Sequence, residues 1–429
     1  DSELTCSIMR RELIGWIFYD FANSAFATTI LAVIFNVYFV KVVCRGAAIP
    51  GVSVWGYSLA FSLLIIAVIS PLLGAMADYT KRKKGFLFVF CYLGALFTCL
   101  LYFLKAGMVF TGVLFITVVN ICFASGNGFY NSLLPAISSS ENFGKVSGLG
   151  WAFGYLGGAL CLLINLWIIK RPELFGIPPS EDLPVRVGFI VAGMWWALFS
   201  IPLFVWVKER KESAGETRDL LRTGWKRVSQ TLKKIHYHRT LGKFLISYLL
   251  YNDGIETVIV MASVFAMEEL NMKEDDIIKC FLMIQFLALW GSLGLGYLAD
   301  KMGNKRTLQL CLLCWCGIIL WAVFIQTAQE FWILAVFTAL VLGGSQAISR
   351  ALFARLTPEE HEAEFFGFFA VSGKFSSILG PLFYGFSRHV FGSSRVAIGS
   401  LLFFFIGGLV LLSSLNIGSP PVRKERGDR

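Results

Sequence analysis

The sequence predicts an all-α integral membrane protein with twelve transmembrane helices, arranged as two parallel six-helix repeats. Three observations lead to this fold class: the composition, the number of long apolar runs and an internal repeat. Of the 429 residues, 56% are hydrophobic and only 15% are charged, whereas a soluble domain carries about 25% charged residues. Because the bilayer core offers backbone groups no hydrogen-bond partner, such a chain is expected to cross it as helices.

Apolar runs long enough to cross a bilayer occur twelve times, since about 20 helical residues span the hydrocarbon core. The predicted spans of the first half are 13–42, 54–77, 86–104, 109–134, 146–169 and 187–207. Those of the second half are 240–267, 277–299, 306–326, 331–353, 365–388 and 395–416. We therefore divide the chain into an N-terminal bundle (1–207), a linker (208–239) and a C-terminal bundle with its tail (240–429).

Basic residues are unevenly distributed between the two sides of these spans. Of the 38 lysines and arginines, 27 fall on the side of the termini and the linker and 10 on the other side. The positive-inside rule then places both termini and the linker in the cytoplasm. Membrane orientation also accounts for the net charge of +10, so the predicted partner is the lipid bilayer and not nucleic acid.

The linker has a helical pattern of its own. Leu221, Trp225 and Val228 recur at helical spacing among basic residues. This pattern predicts a basic amphipathic helix on the inner membrane surface. A target helix of the kind that calmodulin binds is the alternative.

The two halves repeat each other in sequence. GAMADYTKRKKG, from Gly74, matches GYLADKMGNKRTL, from Gly296, and each copy follows the second span of its half. Further matches at nearly the same offset pair Asn127 with Gln346, Asn131 with Arg350, Gly148 with Gly367 and Gly154 with Gly373. Two six-helix repeats with both ends on one side imply parallel halves around an axis along the membrane normal.

The repeated loop resembles the signature loop of the major facilitator superfamily. We assign to these gating loops Gly74, Asp78, Arg82, Gly296, Asp300 and Arg306. The second copy is closer to the pattern, because Lys81 stands where the first would have glycine. The segments Tyr19–Thr29 (YDFANSAFATT), Tyr130–Pro135 (YNSLLP) and Gly343–Pro358 are further similar to the UMF1 subgroup, related to the yeast vacuole effluxer Atg22. The resemblance covers essentially the whole chain.

The resemblance implies a secondary transporter that works by alternating access. In that fold, spans 1, 4, 7 and 10 line a central cavity, and spans 2, 5, 8 and 11 form the contact between the halves. Polar residues that are costly in lipid lie on these cavity spans, with one addition on span 11. The candidate cavity residues are Asp20, Asn23, Asn127, Tyr130, Asn131, Asn252, Asp253, Glu256, Gln346, Arg350 and Lys374.

Charge and spacing suggest roles for these residues. Residues three apart share a helix face, so we expect Asp20 to face Asp253 and Glu256 across the midplane. The hypothesis is that one of these three acids carries a coupling proton, because burial and a nearby cation shift a carboxyl pKa in opposite directions. Arg350 or Lys374 would bind a substrate carboxylate.

Simpler interpretations exist for the same residues. Asp20 and Lys374 can reach the headgroups from within a span, and Arg350 can be a positive-inside residue at the cytoplasmic end of its helix.

Small residues offer a second pattern. Span 5 carries the glycine row Gly150, Gly154 and Gly158, and we expect it to meet Ser292 and Gly296 of span 8. The contact would permit sliding between the halves or simply close static packing.

The expected function is transport of a small polar solute, with an amino acid or a similar zwitterion as the first candidate. We expect transport to be coupled to protons, and export is a candidate direction. Transport of sugars or drug-like cations, or a non-transporting receptor or scaffold, are the alternatives. The sequence shows no nucleophile–base set, metal cluster or phosphate loop, so we expect no enzyme activity, cofactor or metal site. We expect a monomer in the bacterial plasma (inner) membrane, or in the vacuolar membrane if the source is eukaryotic.

Overall fold

A computed structural model describes residues 2–178, 182–209, 219–233, 239–359 and 361–416. Within these residues, twelve helical segments are long and apolar enough to cross a membrane. Spans 1 to 6 are Arg10–Val43, Gly51–Thr80, Lys83–Phe103, Val109–Ile137, Phe143–Lys170 and Leu183–Trp206. Spans 7 to 12 are Arg239–Leu270, Asp276–Met302, Asn304–Phe324, Ala328–Leu356, Glu362–Phe391 and Ser394–Ser413. The predicted fold class and the number of spans are confirmed.

The outer surface of the bundle is apolar. Leu64, Phe110, Trp290 and Phe403 are large hydrophobic side chains that are each more than half exposed. In water, apolar patches of this extent would lead to association, whereas lipid tails solvate them. The structure therefore has the surface that a membrane-embedded bundle requires.

The two halves contact each other through the spans that the resemblance implied. Span 5 packs against spans 8 and 10, and span 2 packs against span 11, which also touches span 4. Gly74 of span 2 lies so close to the backbone of Ala363 and Glu364 that an added Cβ would collide with it. We call the end of the bundle where span 2 ends (Thr80) and span 11 begins (Glu362) the linker end, and the opposite end the far end.

Span 11 is not one continuous helix. It consists of Glu362–Phe375 and Leu379–Phe391, separated by a turn. Pro381 explains the interruption, because proline has no N–H and its ring clashes with the carbonyl four residues earlier. The break gives span 11 a second helix N-terminus inside the bundle.

Span 1 also departs from regular α-helix. It is α-helical up to Ala25 and then contains two π-helical stretches, Phe26–Val33 and Phe39–Val43. Such wide turns are rare and occur mostly near functional sites. Asp20 and Asn23 lie in the regular part, so their shared face is kept.

Part of the predicted linker is helical. A helix spans Leu220–Lys233 and packs against span 2. The rest of 208–239 is described only at 208–209, 219 and 239, and the remaining positions lie outside the described residues.

Candidate functional site

A buried ion pair joins the two halves in the linker-end half of the bundle. Arg350 of span 10 donates from Nη1 to Oδ2 of Asp20 of span 1 at 2.8 Å. Arg350 is 3% exposed and Asp20 is 8% exposed. Arg350 is therefore not a surface residue at a helix end, and Asp20 does not reach the headgroups.

The guanidinium of Arg350 is satisfied on every side. Its Nε and Nη2 donate to the hydroxyl and the carbonyl oxygen of Ser147 in span 5, both at 2.8 Å, and Nη1 also donates to Asn131 Oδ1 at 3.2 Å. Three rings of the first half surround its Cζ atom, namely Trp16 at 4.7 Å, Tyr130 at 5.6 Å and Trp151 at 5.5 Å. A single cation of the second half is thus enclosed by spans 1, 4 and 5 of the first.

Glycine makes room for this pair. A Cβ at Gly150 would lie 2.5 Å from Asp20 Oδ2 and 2.6 Å from Arg350 Nη2. A Cβ at Gly154 would meet the Ser24 hydroxyl at 2.8 Å, and one at Gly158 the Thr28 hydroxyl at 2.5 Å. The glycine row of span 5 therefore faces span 1.

This corrects the expected contact of that row with span 8. Spans 5 and 8 do pack together, but through Gly144 and Gly148 of span 5. A Cβ at Gly148 would lie 2.5 Å from the Ser292 carbonyl oxygen, and one at Gly296 would lie 2.7 Å from the Gly144 carbonyl oxygen. The two glycine sets lie on different faces of one helix, and the spacing alone did not show which face meets span 8.

Polar side chains continue from the ion pair toward the middle of the membrane. Asn23 donates to Asn127 Oδ1 at 2.7 Å, which links spans 1 and 4. The Tyr155 hydroxyl donates to Gln346 Oε1 at 2.8 Å, which links span 5 to span 10 across the halves. Asn127, Tyr155 and Gln346 are only partly buried, as expected of side chains along a cavity wall.

A second charged group lies further along the same wall. Glu256 of span 7 and Lys374 of span 11 are partly buried and close enough for a Coulombic interaction. Two tyrosines, Tyr155 and Tyr248, also lie near Glu256. The Lys374 ammonium lies 5.5 Å from the ring centre of Phe123 in span 4. This group combines a carboxylate, an ammonium group and aromatic rings that come from both halves.

Asp253 lies elsewhere than we expected. Its carboxylate is fully buried, and Oδ1 accepts a hydrogen bond from the Gly380 backbone N–H at 2.7 Å. The neighbouring Asn252 donates to the Ser376 hydroxyl at 2.5 Å. Both residues stabilise the break in span 11 instead of facing Asp20, because the interrupted helix presents free backbone N–H groups that attract a carboxylate.

The gating loops hold helix N-termini of the opposite half. Asp78 accepts from the backbone N–H groups of Ala363 and Glu364, at 3.1 and 2.8 Å, at the start of span 11. Asp300 accepts from those of Gly144 and Lys145, both at 2.8 Å, at the start of span 5. Each acid thereby places a negative charge at the positive end of a helix dipole.

The cation beside Asp78 is Lys83 and not Arg82, the basic residue that we assigned to this loop. The Lys83 ammonium lies 3.0 Å from Asp78 Oδ1 and 2.9 Å from Glu362 Oε2. Arg82 and Arg306 are exposed. The helix of span 3 begins at Lys83, so this side chain and not its neighbour lies next to the last turn of span 2.

Sequence reasoning overlooked several side chains of the site. They are Trp16, Ser147, Trp151, Tyr155, Tyr248, Lys83 and Glu362. A serine in a glycine-rich helix has the pattern of ordinary packing, so no signal marked Ser147. The aromatic residues next to Asp20 and Gly150 were a usable signal, because Arg commonly stacks on rings.

Comparison with known proteins assigns the family. The profile of the family described as vacuole effluxer Atg22 like matches residues 38–420. A Bacillus subtilis protein described as an uncharacterized MFS-type transporter, YxiO, is 32% identical over 401 residues, which cover 93% of each chain. Autophagy-related protein 22 of Eremothecium gossypii is 26% identical over 86% of this chain and 78% of its own. The chain belongs to this Atg22-like family.

Solved structures support the same fold for this Atg22-like protein. The human organic anion transporter MFSD10 matches with a TM-score of 0.71 at 15% identity, over 94% of this chain and 99% of that one. The transporter FucP in its outward conformation matches with a TM-score of 0.71 at 14% identity, over 95% and 99%. The chain is thus a multi-pass membrane transporter of the major facilitator superfamily.

Proposed function

We propose that this Atg22-like transporter carries a small zwitterion by alternating access, with an amino acid as the leading candidate. The observation that carries the proposal is the pair of opposite charges, Glu256 and Lys374, within Coulombic range of each other on a polar and aromatic wall. The α-carboxylate of an amino acid would pair with Lys374 and the α-ammonium with Glu256. Tyr155 comes from the first half, so a solute bound there would touch both halves.

Other solute classes fit this wall less well. A neutral sugar would satisfy neither charge, and a drug-like cation would pair with Glu256 while leaving the Lys374 ammonium without an anion. A buried charge that loses its partner is costly. The zwitterion is the class that satisfies both groups at once.

The ion pair between Asp20 and Arg350 would control access from the linker end. The hydrogen bonds of Arg350, Asp78 and Asp300 that join the halves lie in the linker-end half of their helices. This arrangement supports a state that is closed at the linker end. Opening that end requires Asp20 and Arg350 to part, and a proton on Asp20 would lower the cost by removing one charge of the pair.

The bundles 1–207 and 240–429 would rock against each other around this wall, joined by the linker 208–239. The distribution of basic residues supports a cytoplasmic linker end. The bacterial relative supports a plasma-membrane location, and the fungal relatives would support the vacuolar membrane for a eukaryotic source. The chain would work as a monomer with protons as the coupling ion.

Flux measurements in proteoliposomes test the substrate assignment. Radiolabelled amino acids would be screened for uptake, and Lys374→Gln and Glu256→Gln would each be compared with the unchanged protein. We expect each substitution to reduce flux at least tenfold, because a charge-assisted hydrogen bond contributes about 1.5–3 kcal/mol. Lys273→Gln, which removes an exposed lysine outside the spans, is the matched control and should leave flux unchanged. Full flux in both cavity variants would exclude the proposed pairing.

Proton coupling needs a separate measurement. With an imposed pH gradient, the unchanged protein should accumulate the solute. Asp20→Asn, which mimics the protonated acid, should retain exchange of solute for solute but lose accumulation. Accumulation that persists in Asp20→Asn would show that the coupling proton binds elsewhere, while the substrate assignment would stand.

A further inference from the structure

The linker helix Leu220–Lys233 has one face docked on span 2. Gly224 is buried, and a Cβ there would meet Met76 at 2.8 Å and Leu72 at 3.0 Å. The Arg227 guanidinium lies 5.8 Å from the ring centre of Tyr79. These contacts fix which side of the helix points toward the bundle and which side points away.

The contacts also fix the depth of the helix. Span 2 has 30 residues, and at about 1.5 Å per residue it is roughly 45 Å long, against a hydrocarbon core of about 30 Å. Leu72, Met76 and Tyr79 belong to its last nine residues. The linker helix therefore lies at the boundary between hydrocarbon and headgroups at the linker end.

The face that points away from span 2 is both apolar and basic. Leu221 is 68% exposed and Trp225 is 60% exposed, one turn apart on the helix. Arg222 and Lys226, each next to one of them, are exposed as well. In water the two large apolar side chains would be unfavourable. At a lipid interface, Leu and Trp enter the acyl boundary, while Arg and Lys reach the phosphate layer.

From this geometry we propose that the linker helix is a docking surface for acidic phospholipid headgroups. Charge complementarity selects these lipids, because four residues of the helix are basic (Arg222, Lys226, Arg227 and Lys233), none is acidic, and Asp219 immediately before it is its one adjoining acid. Apolar insertion alone would work equally well in a zwitterionic bilayer. Basic side chains are attracted to anionic lipid when they lie within a Debye length of the membrane surface.

The surface has a route to the transport cycle. Span 2 presents Leu72 and Met76 to the linker helix, and it presents Gly74 and Asp78 to the start of span 11. When lipid holds the linker helix in place, this helix stabilises the part of span 2 that closes the linker end. Acidic lipid therefore stabilises the closed linker end.

Hydrogen exchange of the full-length protein in nanodiscs tests the docking surface. One set of nanodiscs contains phosphatidylcholine alone, and the other contains phosphatidylcholine mixed with the acidic lipid phosphatidylglycerol, which gives the bilayer a negative surface potential. We expect backbone amides of 220–233 to exchange at least fivefold more slowly with phosphatidylglycerol. High salt should reverse the protection, because it screens the surface potential.

Two double variants make the result decisive. Arg222→Gln with Lys226→Gln should abolish the protection by acidic lipid. Arg10→Gln with Arg11→Gln, which removes two exposed charges of span 1 at the same end, should retain it. Equal exchange rates in both lipids, or protection that survives the first double variant, would overturn the proposal. The readout needs no flux, so it is independent of the substrate assignment.

Discussion

The two repeated loops, 78–84 at the end of span 2 and 300–306 at the end of span 8, close the linker end with equivalent acids but differ in where their lysines bind. Asp78 and Asp300 each accept two backbone hydrogen bonds from a helix N-terminus of the other half. Lys83 turns toward Asp78, whereas Lys305, at the equivalent position, donates to the carbonyl oxygens of Ser413 and Leu415 at the end of span 12. The shared element is therefore the carboxylate on the helix N-terminus. The first loop adds the ion pair between Lys83 and Asp78, whereas the cation near Asp300 is Lys145 of the opposite half.

Replacing the two acids by amides should have the largest effect and should separate the loops. Asp78 is buried, so Asp78→Asn should weaken its contact by about 3 kcal/mol, through lost charge-assisted bonds and a less compensated Lys83. Asp300 is partly exposed, and Asp300→Asn should cost about 1.5 kcal/mol. Hydrogen exchange reads each contact directly, at the amides of Ala363 and Glu364 or of Gly144 and Lys145.

The expected acceleration is about 100-fold for Asp78→Asn and about tenfold for Asp300→Asn, since 1.4 kcal/mol is a factor of ten. Asp276→Asn, which removes an exposed acid, is the control and should change neither set of amides. Equal acceleration at both contacts would contradict the additional role of Lys83.

Gly74 and Gly296, four residues before the two acids, should respond more similarly to substitution, because both lie against the backbone of the opposite half. A Cβ at Gly74 would collide with the Ala363 carbonyl, and one at Gly296 would lie 2.7 Å from the Gly144 carbonyl oxygen. Gly74→Ala and Gly296→Ala should each cost about 1–3 kcal/mol, because a crowded helix pair must separate. The apparent melting temperature and the exchange of the facing amides would both report the loss.

Each glycine has a matched control on its own helix. In the described part of the chain, a Cβ at Gly56 of span 2 or Gly294 of span 8 would have no atom within 4 Å. Gly56→Ala and Gly294→Ala should be neutral or slightly stabilising, since alanine favours helix by up to about 1 kcal/mol. Losses as large as those at Gly74 and Gly296 would show that helix propensity and not close approach sets the effect.

The sequence predicted the fold and the two loops because their signals are local or repeated. Twelve apolar runs need only composition and length, and the loop acids needed only the repeat. The pairing of Asp20 with Arg350 was missed, although both residues were selected, because the rotation of two distant helices is set by packing. Gly150 leaves room for the pair and Ser147 accepts a hydrogen bond from Arg350. The glycine row was visible in the sequence, but its spacing did not show which helix it faces, and nothing marked Ser147.

The position of Asp253 differs from the expected one for another reason. Its spacing from Glu256 correctly indicates neighbouring positions on span 7, but the two side chains have different environments. The break before Pro381 provides free N–H groups that take up the Asp253 carboxylate. The Gly380–Pro381 pair was a visible signal of that break, and it would have redirected the assignment.

The smallest effect concerns the residue that ends the helix before each loop. Lys81 and Gly303 occupy equivalent positions and both have positive φ, 54° and 91° respectively. Lysine in the left-handed region costs about 1 kcal/mol, partly offset by the greater flexibility of glycine in the unfolded chain. Lys81→Gly should therefore raise the free energy of unfolding by about 0.5 kcal/mol, whereas Gly303→Ala should lower it by about 1–2 kcal/mol. Melting curves of both variants would give opposite shifts, and shifts of the same sign would mean that the side chain of Lys81 contributes more at this position than its backbone strain costs.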